Sequence, residues 1–195
     1  MKIISVVNPK GGAGKTVTAV NISYALHNRG KKVLLIDADA RGAVSVYLGL
    51  KNENTLFHLI KEQYEKLNVF DLKKYIIEKN GIDIIISDAE LNKMDSYFIV
   101  ENQDAQSQID SIVNILYLFE DYDYVIFDTE GTVNNLTKAV LKATDYIFAP
   151  SKSSAIDING LADLLNMYDI SRAINPKLEI RKIFLVQTKQ NTIVY

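Results

Sequence analysis

Cysteine is absent from all 195 residues, and so disulfides, zinc sites with cysteine ligands and cysteine-ligated iron–sulfur clusters are excluded. No apolar run approaches the ~20 residues that a helix needs to cross a bilayer. The amino terminus enters an apolar run at once, without the segments of a signal peptide. These absences predict a cytoplasmic protein without a membrane partner.

An excess of either charge is also missing. The sequence has 22 Lys and Arg against 24 Asp and Glu, a net charge of −2. No global basic field attracts nucleic acid, and any DNA affinity requires a local patch. With 48% hydrophobic and 24% charged residues, the composition is typical of a globular protein, and the length suits a single domain over residues 1–195.

Short apolar runs alternate with segments of helical composition along most of the chain. The runs predict strands at 3–7, 32–37, 82–87, 124–128, 146–150 and 180–187. Helices are predicted at 15–29, 55–63, 71–79, 134–143 and 156–173, and around 109–116, where apolar residues follow the i, i+3, i+4, i+7 rule. This order predicts an α/β fold, a mostly parallel sheet flanked by helices on both faces in three layers.

In such folds ligands bind beyond the carboxyl ends of the strands. Polar residues and proline lie at these predicted ends, namely Asn8, Asp37, Asp39, Asp128 and Pro150. We therefore expect the chemistry to converge at this edge of the sheet.

The first of these ends carries a glycine-rich loop. Three of the nine glycines lie between residues 11 and 14, directly before Lys15 and Thr16. Glycine lets backbone N–H groups approach an anion closely, and the helix that follows adds its N-terminal partial positive charge. The pattern predicts a phosphate cradle for ATP, with Lys15 at the β- and γ-phosphates and the Thr16 hydroxyl on Mg²⁺. Its residues are Lys10, Gly11, Gly12, Ala13, Gly14, Lys15, Thr16 and Val17.

The loop departs from the common G-x-x-x-x-G-K-[ST] pattern, because Pro9 stands in place of its first glycine. The heptad Lys10-Gly11-Gly12-Ala13-Gly14-Lys15-Thr16 has a second lysine instead. It resembles the deviant Walker A loop of the ParA/MinD family, ATPases that position DNA or other cargo. The resemblance implies that Lys10 reaches the partner's phosphates across an ATP-dependent homodimer and acts in the manner of an arginine finger.

The same resemblance implies roles for the acidic strand ends. Asp39 would orient or activate the attacking water, Asp37 would support the Mg²⁺ shell, and Asp128 would hold a water on the ion. The implied catalytic residues are Lys10, Lys15, Asp39 and Asp128, and the implied metal residues are Thr16, Asp37, Asp39 and Asp128.

Two segments depart from the family pattern. Ala40-Arg41-Gly42 replaces the usual Pro-Gln continuation, and Glu130-Gly131-Thr132 replaces a Pro-Pro or similar pair. Gly131 can still supply a flexible switch with a backbone N–H near the γ-phosphate. Glu130 is either a switch contact or an exposed loop acid, and we favour the latter.

By resemblance the chain is closest to short ParA-type ATPases that partition plasmid or chromosomal DNA with a ParB-like stimulating partner. DNA would require grouped basic residues, and the candidates are Lys177, Arg181, Lys182 and Lys189, with Lys138, Lys142 and Lys152. An ATP-gated module that positions protein or conjugation cargo without DNA binding is the alternative. A metabolic P-loop kinase or ligase is a third possibility, which the four scattered arginines disfavour.

The carboxyl-terminal end is short by comparison with the family pattern. The resemblance implies either a short member or truncation there, and leaves Gln187 and Thr188 as weak candidates for adenine contacts. Residues 191–195 are not expected to form the membrane helix of MinD relatives.

Overall fold

A single mixed β-sheet organises the chain in the computed structural model, which describes residues 1–65, 71–101, 104–132, 134–152 and 157–186. The described strands follow the order β3-β4-β2-β5-β1-β6-β7, and every neighbouring pair is parallel except β3–β4. Their bounds are β1 Lys2–Val6, β2 Val33–Ala38, β3 Ile77–Lys79, β4 Ile82–Ile85, β5 Tyr124–Thr129, β6 Tyr146–Lys152 and β7 Glu179–Val186.

Helices connect these strands and cover both faces of the sheet. The α-helices are α1 Lys15–His27, α2 Ala43–Leu48, α3 Leu56–Glu65, α4 Met94–Val100, α5 Ala105–Asp110, α6 Asn135–Ala143 and α7 Asp157–Ile174. Short 3₁₀ helices span Leu72–Tyr75, Ala89–Lys93 and Val113–Phe119. The predicted fold class, a mostly parallel sheet between two helical layers, is confirmed.

Alternation along the strands explains the two layers. Successive strand side chains point to opposite faces, so Leu34 and Ile36 of β2 pack with α3 and α6, whereas Val33 and Leu35 pack with α1. Each face buries its own apolar cluster. The central strands are therefore apolar on both sides, as expected of parallel strands between helices.

The strand register brings the acidic ends together. Asp37 of β2 lies opposite Asp128 of β5, and Val6 of β1 lies opposite Asp128 on the other side. Three connections, β1–α1, β2–α2 and β5–α6, thus leave the sheet next to one another. Their convergence at the carboxyl edge was predicted from the sequence.

The helix predicted at 71–79 is wrong. Only a 3₁₀ turn forms there, and the chain then enters β3, which pairs antiparallel with β4. The hairpin turn is made by Asn80 and Gly81, whose φ angles are 51° and 85°. Asn-Gly is a strong hairpin signal because both central residues of a type I′ turn need positive φ. The strands on either side have only three and four residues, and so their sequence pattern did not reveal the hairpin.

The amphipathic helix predicted around 109–116 is interrupted. Helix α5 ends at Asp110, and a 3₁₀ helix continues from Val113. The buried residues are Ile112, Ile115 and Phe119, whereas Val113 is exposed. Because a 3₁₀ helix has three residues per turn, Ile112 and Ile115 lie on one buried face without α-helical geometry. Helices α2 and α4 were not predicted, and the single-domain interpretation stays a prediction.

The hairpin supplies a test of the fold. A Cβ at Gly81 would lie 2.2 Å from Nε2 of His27, at a left-handed φ. We expect Gly81→Ala to lower the free energy of unfolding by about 2 kcal/mol, because the left-handed backbone alone costs roughly 1–2 kcal/mol and the His27 ring must also move. Gly30→Ala is the matched control, with φ +76° and open space around the added methyl. Urea denaturation should show a larger loss for Gly81→Ala, and equal losses would contradict the contact.

Candidate active site

The loop between β1 and α1 is pinned at its base and turns sharply at its glycines. The Asn8 side chain donates to the carbonyl oxygen of Pro150 in β6 at 2.7 Å and accepts from the N–H of Lys10 at 2.8 Å. Gly12 and Gly14 have φ angles of 71° and 84°, and α1 begins directly afterwards. Positive φ at these positions turns successive N–H groups toward a common side, the geometry of an anion nest.

Lys15 lies at the centre of the loop. Only 6% of the residue is exposed, and its Nζ donates to the carbonyl oxygen of Lys10 at 3.2 Å. Burial lowers the Lys15 pKa, although nearby Asp128 and Asp39 partly oppose this effect. The loop borders a cavity of about 360 Å³ that Asp39 and Arg41 complete on the other side. This volume lies within the range of small-molecule pockets.

Asp37 is fully buried at the end of β2. Its two oxygens accept the N–H groups of Asp39 and Val44, each at 3.0 Å. Burial and the neighbouring Asp128 raise the pKa of Asp37 to about 8. Because both oxygens already accept backbone hydrogen bonds, Asp37 shapes the β2–α2 turn.

Asp128 differs from Asp37 in having no such partners. Both of its carboxylate oxygens are buried, and no described residue donates a hydrogen bond of normal geometry to either. Burial raises the pKa of Asp128 to about 6, although the nearby Thr16 hydroxyl and Lys15 partly oppose the shift. An orphaned carboxylate of this kind calls for a ligand from outside the chain.

These residues fit a Mg²⁺ ion that is shared with phosphates. Mg²⁺ commonly uses one or two carboxylates, several waters and phosphate oxygens instead of an all-protein cage. Asp128 and Thr16 supply a carboxylate and a hydroxyl beside the phosphate loop. Within the described ranges no group of three or more His, Cys, Asp or Glu residues could hold a metal by itself.

Asp39 is held by an arginine of the same turn. The Arg41 guanidinium donates from Nε to Oδ1 at 3.0 Å and from its terminal nitrogen to Oδ2 at 2.6 Å. Burial opposes ionisation of Asp39, but hydrogen bonds from Arg41 outweigh burial and hold the carboxyl pKa below its ordinary value. The predicted water-orienting residue is therefore already paired.

The loop after β5 packs directly on the glycine loop. A Cβ at Gly131 would lie 3.2 Å from the carbonyl oxygen of Pro9 and 3.4 Å from Nζ of Lys15. Glu130 is half-buried and accepts from the Asn134 side chain at 2.8 Å, so its interpretation as an exposed loop acid is wrong. Burial and Asp39 raise the Glu130 pKa.

Lys10 and Lys152 each lie close to a glycine of another segment. Lys10 lies against α7, since a Cβ at Gly160 would be 3.7 Å from Cδ of Lys10. Lys152 was grouped with possible DNA contacts, but its Nζ lies 3.4 Å from where a Cβ of Gly12 would be. Its position two residues after Pro150, at the carboxyl end of β6, was the signal that could have revealed this. Val17 is partly exposed and lines the cavity that the glycine loop borders with Asp39 and Arg41.

The other basic candidates within the described residues lie on α6, on β7 and in the segment before β7. Lys142 pairs with Asp110, and Arg181 pairs with Glu179 at 3.1 Å. Lys177 is exposed before the amino end of β7, at the edge of the sheet opposite the glycine loop, and Lys182 is exposed within β7, level with Phe148 of β6. Gln187, Thr188 and Lys189 lie outside the described residues. No helix of the described residues is long and apolar enough to span a membrane.

Together the sheet order, the glycine loop after β1 and the acidic ends of β2 and β5 define a P-loop nucleotide-binding protein. Residues 1–180 match a family model described as an AAA domain. The chromosome partitioning protein ParA of Caulobacter vibrioides is 30% identical over 191 residues, which cover 95% of this chain and 69% of that protein. The chain belongs to the ParA/MinD family of P-loop ATPases.

Solved structures agree with the fold. A plasmid partition protein from Borrelia burgdorferi is 25% identical, with a TM-score of 0.77 over 98% of this chain and 80% of that one. Cobyrinic acid a,c-diamide synthase from Mycobacterium smegmatis, solved with an ATP analogue and magnesium, superposes with a TM-score of 0.83 over 98% of this chain and 77% of that one. Its 21% identity supports the fold alone. The chain spans 60% of the length of its Mycobacterium tuberculosis relatives.

The orphaned carboxylate yields a pH prediction. The Asp128 pKa is about 6 in the folded state against 3.8 for the ordinary group. Ionisation of Asp128 therefore destabilises the folded state. This destabilisation is absent below pH 3.8, grows as the pH rises, and is complete above about pH 6. In metal- and nucleotide-free protein, Asp128→Asn should raise the free energy of unfolding by about 1–3 kcal/mol at pH 8 and by little at pH 4.

Denaturant unfolding in a chelating buffer at the two pH values measures this difference. Asp121→Asn, on the exposed surface, is the matched control and should change the free energy of unfolding little at either pH. A gain for Asp128→Asn that is equal at both pH values would contradict the electrostatic cause.

Proposed function

We propose that this chain binds Mg²⁺ and ATP, hydrolyses the nucleotide, and uses it as a dimerisation switch in the partitioning of plasmid or chromosomal DNA. The observation that carries the proposal is the buried, unpartnered carboxylate of Asp128 beside the glycine loop and Lys15. A buried charge without a partner is costly, and a metal–phosphate complex supplies the missing ligands.

Binding rests on the loop and three side chains. The N–H groups of residues 11–16 and the Lys15 ammonium would hold the β- and γ-phosphates. Thr16 and Asp128 would hold Mg²⁺, which neutralises phosphate charge. Asp37 supports the site indirectly, through the two backbone N–H groups that it accepts from the β2–α2 turn.

Hydrolysis needs alignment and charge stabilisation more than covalent chemistry. Asp39 would orient the attacking water from the far side of the cavity. The Lys15 ammonium would stabilise charge on the transferred phosphoryl group. Lys10 would add a second cation from the partner chain, which makes hydrolysis depend on dimerisation.

The cargo is proposed from the relatives. The Caulobacter protein is named for chromosome partitioning and the Borrelia protein for plasmid partition. By analogy the ATP-bound dimer would bind DNA nonspecifically, associate with the nucleoid, and release on hydrolysis stimulated by a ParB-like partner. The alternative is an ATP-gated module for protein cargo, which the pairing of Lys142 and Arg181 with carboxylates favours.

Sedimentation velocity with ATP, ADP or no nucleotide tests the switch. The wild type should sediment as a dimer only with ATP. Lys15→Ala should lose nucleotide binding, because the ammonium that faces the phosphates is gone. Lys10→Ala should retain ATP affinity but stay monomeric, since Lys10 would contact the phosphates bound to the partner chain and not those bound to its own. Exposed Lys51→Ala serves as the matched control.

Two outcomes would be decisive against this model. A wild type whose sedimentation is the same with and without ATP is not a nucleotide-dependent dimer. If Lys10→Ala dimerises as the wild type does, the lysine has no role across the interface.

A DNA-binding titration at several salt concentrations separates the two cargo classes. The proposal expects ATP-dependent affinity for duplex DNA of unrelated sequences, with a logarithmic salt dependence from counterion release. The double variant Lys177→Gln, Lys182→Gln should reduce that slope, whereas Lys51→Gln, Lys93→Gln should not. Absence of ATP-dependent DNA affinity in a protein that dimerises normally would favour protein cargo.

A further inference from the structure

The two side chains of the Asp39–Arg41 pair differ greatly in their exposure to solvent. Oδ2 of Asp39 also receives Nε of Arg41 at 3.2 Å, so the guanidinium engages both carboxylate oxygens in a fork. The Asp39 side chain is 4% exposed, whereas that of Arg41 is 69% exposed. A nearly buried carboxylate is thus covered by a side chain that can rotate into solvent.

The turn does not need this fork to keep its shape. The Arg41 backbone N–H donates to Oδ1 of Asp39 at 2.9 Å, and the Asp39 carbonyl oxygen accepts from the N–H of Gly42 at 2.9 Å and from the Ser87 hydroxyl. Asp37 holds the Asp39 N–H from the other side. These bonds use main-chain atoms and other side chains, and so they persist when the guanidinium is removed.

The fork opposes the role proposed for Asp39. A carboxylate orients water by accepting its hydrogen, and the guanidinium already bonds both oxygens of a side chain that is only 4% exposed. Charge-assisted bonds of this bidentate kind are among the stronger hydrogen bonds in proteins. Asp39 can therefore accept a water only after the fork opens.

A phosphate in the cavity would compete for Arg41. Arg41 borders the cavity next to Gly12 and Lys15, and a second cavity that Gly11, Glu130 and Gly131 line. It therefore lies between the glycine loop and the loop after β5. Guanidinium groups match phosphate oxygens with the same planar geometry as carboxylates. The terminal phosphate of a bound nucleotide would carry more negative charge than Asp39 does.

We infer that Arg41 is a positioning residue that holds Asp39 away from water in the nucleotide-free protein and releases it when a nucleotide phosphate attracts the guanidinium. This inference rests on the proposed ATPase function. It assigns a regulatory task to Arg41 in the segment Ala40-Arg41-Gly42.

Single-turnover hydrolysis of ATP by Arg41→Gln tests the inference, with ATP affinity measured separately by calorimetry. Asp39 and the phosphate compete for one guanidinium, so the fork stays closed in part of the ATP-bound protein. The variant has no fork and should hydrolyse ATP about two- to fivefold faster than the wild type without a ParB-like partner, the range that loss of one partly exposed ion pair corresponds to. Arg41→Lys retains a charge but not the fork, and should be intermediate. Arg29→Gln removes another exposed arginine, just beyond the carboxyl end of α1 and so far from the glycine loop, and should leave the rate unchanged.

The faster hydrolysis expected of Arg41→Gln must depend on the Asp39 carboxylate. Asp39→Ala should hydrolyse slowly, and the double variant Asp39→Ala, Arg41→Gln should be no faster than Asp39→Ala alone. A merely structural role for Arg41 would give a slower or less stable Arg41→Gln protein, without an Asp39-dependent gain.

Separate outcomes overturn the two proposals. If Arg41→Gln binds ATP as the wild type does but hydrolyses it at the same or a lower rate, Arg41 does not restrain Asp39, and the ATPase proposal stands. If the folded wild type binds no ATP, the proposed function fails and the inference about Arg41 fails with it. If Arg41→Gln does not fold, the rate of Arg41→Lys decides, and a rate equal to or below that of the wild type refutes the inference.

Discussion

Two carboxylates side by side at one edge of a parallel sheet are the constraint on which the site depends. The register of β2 with β5 sets Asp37 opposite Asp128, and both are buried. Burial, and after it the neighbouring Asp128, raises the Asp37 pKa to about 8, because a second charge beside a carboxylate in a poorly solvated place disfavours its ionisation. Two apolar layers hold the strands in this register and so maintain an arrangement that the acids alone would oppose.

The surrounding loops respond to this concentrated negative charge in different ways. Asp37 accepts two backbone N–H groups, Asp39 is covered by Arg41, and Lys15 lies within the field of Asp128 and Asp39. Of these four groups, Asp128 is the one whose side-chain oxygens have no hydrogen-bond partner among the described residues. Of these carboxylates, Asp128 is therefore the one that requires a cation, and it lies next to the glycine loop, which is suited to phosphates.

The glycine loop and its neighbours connect this electrostatic arrangement with function. Asn8 ties the loop to β6, Gly131 brings the loop after β5 against it, and Arg41 borders the cavity between them. A ligand at the loop would thus contact segments from three different connections. This is the physical basis for proposing that nucleotide binding changes the surface the chain presents to a second copy or to cargo.

The sequence by itself determined the fold class and the phosphate loop, because strand alternation and the spacing of glycines with Lys15 are local patterns. It missed the β3–β4 hairpin, the break after α5, and the positions of Lys152 and Glu130. Only the tertiary structure decided which carboxylate lacks a partner and that Arg41 covers Asp39. Burial and ion pairing join residues from separate strands and turns, and no local spacing reports how charges from different segments share one small, poorly solvated volume.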